Sequence, residues 1–154
     1  MRIATIFWKD RETAAVLGDK GYVPLGEIFS FLGKPWTPSL QWLLENHKFR
    51  ELHRWFREEG KQFFARYEGC RISPEEARYA PLYRRPPKIW GIGLNYVDHA
   101  ADLAEKAPNT EPASFMKTAN TVIGYGDAIR IPLQSSGTTA EAELGVVFGD
   151  YGRE

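Results

Sequence analysis

KIWGIGLNYVDHAAD, residues 88–102, is the stretch on which the fold reading turns. It opens as a short strand, with Ile89, Trp90 and Ile92 set between the glycines at 91 and 93. The run DHAADLAEKA that follows predicts a brief helix with Asp98 at its start. On that helix His99 and Asp102 are three positions apart and share a face. A carboxylate so placed can accept the imidazole N–H, fix its tautomer and raise its basicity, which suits a general base. A lone helical histidine is also a common structural residue, and that reading competes with the catalytic one.

Downstream, SFMK ends in Lys117, a lone charge after an apolar pair and on its own a surface residue. TVIGYGDAIRIP and TAEAELGVVFG, residues 139–149, then read as strands, with tight turns at GYGD and QSSG. In an extended 139–149, one face holds Ala140, Ala142, Leu144, Val146 and Phe148. The other holds Glu141, Glu143, Gly145, Val147 and Gly149. The two carboxylates stand roughly 6–7 Å apart. At an effective dielectric near 20 they repel by about 2–3 kcal/mol. A wet polar face tolerates that. A hard divalent cation would turn the repulsion into attraction, because carboxylate oxygens are the ligands it prefers.

Upstream the pattern differs. Residues 2–8 and 13–17 are strand candidates around a charged turn, and GDKG at 18–21 is a strong turn signal, so a small antiparallel sheet is expected. From Ser39, a candidate cap, the period becomes helical: Leu40, Leu43 and Leu44, then Leu52, Trp55 and Phe56, then Phe63 after a break at Gly60. These aromatics read as core, and His47 and His53 as solvated or packing residues. Residues 71–88 hold Pro74, Pro81, Pro86 and Pro87, which breaks any long element and predicts a linker or wrapped segment.

Bulk properties narrow the function classes. Lys plus Arg and Asp plus Glu number 20 each, so no global field favours nucleic acid or a membrane surface. The basic cluster Arg84, Arg85 and Lys88 is too small to change this. With 43% hydrophobic and 14% aromatic residues the chain can build a packed core. The single Cys70 excludes an internal disulfide and fits a reducing compartment. No stretch approaches the roughly 20 apolar residues of a membrane helix, and the N-terminus turns charged before a signal core could form. The expectation is a cytoplasmic protein.

The pieces together resemble the fumarylacetoacetate hydrolase family. The matching elements are GIGLNYVDHAAD at 91–102, P-x-x-F-x-K at 112–117, TVIGYGDAIRIP at 121–132 and AEAELGVVFG at 140–149, in the family's order and spacing. The resemblance implies an α+β fold built on a mixed, rolled β-sheet, incomplete here, behind a small sheet-plus-helix accessory domain. It divides the chain into an accessory domain over 1–70, a linker over 71–87 and the N-terminal portion of the catalytic domain over 88–154.

The resemblance also implies roles. Glu141 and Glu143 would coordinate Mg²⁺, Mn²⁺ or Ca²⁺. His99 would act as general base, paired with Asp102, where family members generally carry the longer glutamate. Lys117 would bind the substrate anion. The implied activity is metal-dependent hydrolysis of a carbon–carbon bond in a 2-oxo or β-diketo acid. Alternatives are a family isomerase, a 2-oxo acid decarboxylase, a lyase, or a non-catalytic fragment. Family catalytic domains continue to a third, aspartate ligand, so the resemblance implies a chain shortened before it, with weak metal affinity, poor stability and little activity alone. The full-length form would be a homodimer.

Overall fold

The computed structural model describes residues 1–93 and 111–149. They fall into two compact units, residues 1–83 with 123–149, and residues 84–93 with 111–122.

The first unit is built on an antiparallel meander, β1 (Arg2–Trp8), β2 (Arg11–Gly18) and β3 (Gly21–Pro24), in the order β1-β2-β3. The expected small sheet is present, and β2 starts two residues earlier than its apolar run suggests. Trp8 pairs with Arg11, which leaves a two-residue turn of Lys9 and Asp10 at φ 49° and 59°. Positive φ at both positions marks the turn whose twist matches the strands.

Residue alternation gives the sheet two apolar faces. Ile3, Ala14, Val16 and Val23 face the main core with the helices, whereas Ile6, Ala15, Leu17 and Tyr22 face a second, smaller core. The helical layer comprises α1 (Leu25–Phe31), α2 (Leu40–Glu45), α3 (Phe49–Trp55) and α4 (Lys61–Arg66). Ser39 caps α2, its hydroxyl accepting from the Trp42 amide at 3.4 Å. Leu40, Leu43, Leu52, Trp55 and Phe63 are buried, as their spacing predicts. The expected break at Gly60 is not a break. Residues 56–60 form a π-helical turn, and Gly60 keeps helical φ and ψ between α3 and α4.

The proline-rich segment wraps the sheet. Ile72 exchanges both backbone hydrogen bonds with Tyr22 on the outer side of β3, at 2.7 and 3.0 Å. A few residues later it reaches the outer side of β1, where the Phe7 amide donates to the Arg78 carbonyl and the Ala80 amide to that of Thr5. The Thr5 hydroxyl donates to the Leu82 carbonyl. Arg71 anchors its start by donating to the Phe64 and Tyr67 carbonyls, each at 2.6 Å. The strap thus satisfies exposed groups on both edges of a three-stranded sheet and covers its second face with Ile72, Ala77 and Tyr79.

The second unit is an antiparallel ribbon of β4 (Ile89–Gly93) and β5 (Ala113–Lys117), in register from Ile89 opposite Lys117 to Gly93 opposite Ala113. Both strands match the apolar runs that predict them. Two other expected strands are absent. In 121–132 the structure has a tight turn at Gly124–Asp127, closed by the Asp127 carboxylate on the Gly124 amide at 2.8 Å, and no ladder. Residues 138–148 carry no strand either, and Leu144, Val146 and Phe148 stand 91%, 73% and 85% exposed. Alternation selects a strand only where a neighbour accepts its N–H and C=O groups. Among the described residues none forms a β-ladder with this stretch.

Candidate functional site

His99 and Asp102 lie outside the described residues. The structure fixes the strands that flank them. β4 ends at Gly93 and β5 begins at Ala113, so the stretch carrying both leaves the ribbon at its Gly93–Ala113 end.

Lys117 lies four ladder pairs away at the other end, about 13 Å along the strand. Its side chain is exposed, with Nζ 5.5 Å from the centre of the Phe115 ring on its own strand. Phe115 in turn packs on Gly91 across the ribbon, which is why that strand carries glycine there.

Glu141 and Glu143 are both exposed on the 138–148 stretch of the first unit. Their chemistry fits a hard divalent cation in kind: two carboxylates two positions apart. It falls short in number, because no group of three His, Cys, Asp or Glu able to hold a metal occurs among the described residues. Lys117 belongs to one unit and the two glutamates to the other.

Two grooves lie in the first unit, the first of them lined in part by Val147 and Gly149 of the stretch that carries the glutamates. A groove of about 570 Å³ is floored by Ile3, Leu40, Leu44 and Phe49 and rimmed by His47 and Arg50. His47 carries φ 55° because it is the first residue past the α2 C-cap, Asn46, in a left-handed helix stop; its amide bonds to the Leu44 carbonyl and that of Lys48 to the Leu43 carbonyl. His47 is exposed, in keeping with a solvated or packing residue, whereas the groove it rims gave no sequence signal beyond Asn-His after an apolar helix. A second groove, of about 350 Å³, lies beside α4. No helix among the described residues is long and apolar enough to cross a membrane.

Comparison with known proteins supplies the context. Residues 88–154 match the family described as fumarylacetoacetate (FAA) hydrolase C-terminal. A Xenopus laevis protein named mitochondrial oxaloacetate tautomerase fahd2 is 44% identical over 74 residues, covering 48% of this chain and 23% of that protein. A Burkholderia multivorans protein, provisionally named a hydrolase, is 45% identical over 74 residues, covering 48% of this chain and 26% of its own length. The chain thus spans about a quarter of the length of the curated relatives it matches. The crystal structure of a protein provisionally named HpcE from Mycobacterium smegmatis superposes with a TM-score of 0.62 at 17% identity, over 86% of this chain and 41% of that one. At that identity the likeness speaks to the fold, a mixed α+β arrangement of small sheets and helices. The run of glycines, asparagine and histidine from Gly91 to His99 and the Glu-x-Glu pair both fall inside the segment that is similar to the fumarylacetoacetate hydrolase family.

Proposed function

We propose that this chain carries part of the catalytic apparatus of a metal-dependent enzyme acting on a 2-oxo or β-diketo acid, cleaving a carbon–carbon bond by hydrolysis. One observation carries the reading: Gly-x-Asn-Tyr-x-x-His at 93–99 and Glu-x-Glu at 141–143 occur together in the segment that matches the family. The layout that goes with it is an accessory domain over 1–70, a linker over 71–87 and a catalytic portion from 88, belonging to a rolled sheet in a cytoplasmic homodimer.

Glu141 and Glu143 would hold Mg²⁺, with Mn²⁺ or Ca²⁺ as substitutes. When bound, the cation withdraws charge from a substrate carbonyl, an effect worth several kcal/mol in a transition state. His99, oriented by Asp102, takes a proton from water as the oxygen attacks the other carbonyl. The carbon–carbon bond then breaks, and His99 returns the proton to the departing carbon. A positioned base of this kind contributes about 10²- to 10⁴-fold. Lys117 would pair with a substrate carboxylate.

The name of the Xenopus laevis relative favours a second reading, in which His99 moves a proton between carbon and oxygen of a 2-oxo diacid, exchanging a C–H for an O–H bond and leaving the carbon–carbon skeleton intact. Calorimetric titration with Mg²⁺, followed by assays with an acylpyruvate and with enol oxaloacetate, tests both. Saturable Mg²⁺ heat lost in Glu141→Gln/Glu143→Gln, and turnover lost in His99→Ala, are expected. Acid release from the acylpyruvate identifies the hydrolase, and ketonisation without it the tautomerase. Unchanged turnover in His99→Ala removes that residue from the chemistry. No Mg²⁺ heat and no turnover of either compound overturns the catalytic reading and leaves a non-catalytic fragment.

A further inference from the structure

The second groove, of about 350 Å³, combines two features that the catalytic reading does not use. Its walls are aromatic. Phe31, at the end of α1, lies 4.9 Å from Phe63 between ring centres, and Phe63 stacks on Tyr67 at 5.1 Å and 29°. Phe31 keeps 64% of its surface exposed, an unusual position for a phenylalanine beside a finished core. Its rim is acidic: Glu59 and Glu68 line it, against one cation, Arg66. Neither glutamate forms an ion pair among the described residues.

The local fold explains how these groups meet. Glu59, Phe63, Arg66 and Tyr67 recur at spacings of three and four along one helical run, so they project from one side of it. The π-helical turn at Phe56–Gly60 places Glu59 at the head of that side. Tyr67 is held in place by its hydroxyl, which donates to the Glu27 carboxylate at 3.4 Å. The molecule already uses this aromatic group to receive a cation: the Arg71 guanidinium sits 5.5 Å from the centre of the Tyr67 ring.

An exposed aromatic face beside two carboxylates and one arginine, a net negative rim, is the complement of a large, weakly hydrated cation. A metal ion would prefer oxygen ligands alone, and an anion would be repelled by the rim. We propose that the groove between the end of α1 and α4 is a binding site for an alkylammonium group, seated against the exposed Phe31 ring with Glu59 and Glu68 supplying the counter-charge. The site lies wholly within the first unit and is independent of the proposed metal and base residues.

Titration of the full chain with tetramethylammonium chloride, followed by NMR shifts of the Phe31 and Tyr67 ring protons, tests this. Saturable shifts are expected, weakening as NaCl is raised. Phe31→Leu keeps an apolar wall without a π face and should weaken binding about two- to fivefold. Glu59→Gln/Glu68→Gln should weaken it further. These side chains are exposed, and a thermal melt followed by circular dichroism shows that each variant is folded. tert-Butanol, neutral and of similar bulk, should give no saturable shift. Absence of saturation with tetramethylammonium, equal binding of tert-butanol, or undiminished affinity in the double glutamine variant overturns the proposal.

Discussion

Gly91 and Phe115 stand directly opposite each other across the β4–β5 ribbon, and the phenyl ring occupies the space into which any β-carbon at 91 would project. The pair supplies a close cross-strand contact in a two-stranded ribbon, an element that is marginal without such support. Replacing Gly91 with Val should drive the ring outward and weaken the ribbon by about 1 kcal/mol. Amide exchange at 89–93 and 113–117 should quicken. Adding Phe115→Ala to Gly91→Val should cost little more, since the two residues share one contact.

Gly21 is the counterpart in the first unit. It holds φ 123°, and a β-carbon there would stand 2.7 Å from the Ile72 carbonyl oxygen, which is backbone and cannot rotate away. Gly21→Ala should therefore destabilise the unit by about 1–3 kcal/mol in urea unfolding. Exchange of the Tyr22 and Ile72 amides should rise first, because that pair joins the strap to β3.

The β1–β2 turn runs the other way. Asp10 sits at φ 59°, where a side chain is tolerated at a cost and glycine is free. Asp10→Gly should raise stability by about 0.5–1 kcal/mol, the relief in the turn exceeding the added freedom of the unfolded chain. Lys9 is best left alone, since its ammonium lies 4.0 Å from the centre of the Trp8 ring. A higher urea midpoint at unchanged slope checks this.

Stability should also fall at high pH through Tyr79. A hydrogen bond with Tyr22, then burial, pushes its hydroxyl up to about 12 from an ordinary 10.0. A raised folded value means that the neutral phenol is the form favoured by the fold. Its contribution is complete below pH 10 and is lost as pH climbs toward 12. Urea midpoints of the wild type should drop across that window, and those of Tyr79→Phe should drop less.

Sequence patterns revealed what is decided locally. The GDKG turn, the leucine period after Ser39 and the hairpin of the first two strands need only neighbours a few residues away. The short helix α1 went unread because its N-cap position holds Pro24, with no side-chain hydrogen bond, and only Leu25, Ile28 and Phe29 mark its period. Gly60 signalled a break, yet the buried aromatics on either side carry the helix through it as a π-helical turn. The 138–148 stretch has the alternation of a strand and lacks one, because pairing is a property of two segments. The Glu-x-Glu spacing was legible for the same reason that its geometry was not: spacing is local, and a coordination shell is assembled from distant parts of a chain.

The strap over residues 71–82 serves both rims of the meander at once, bonded to β3 through Ile72 and to β1 through Arg78 and Ala80. Its exposed crossing at Pro74–Glu76 is therefore a single point of vulnerability. A protease that nicked it there would free the two borders together, and a self-contained layer would become one with two sticky flanks open to recruitment by other chains.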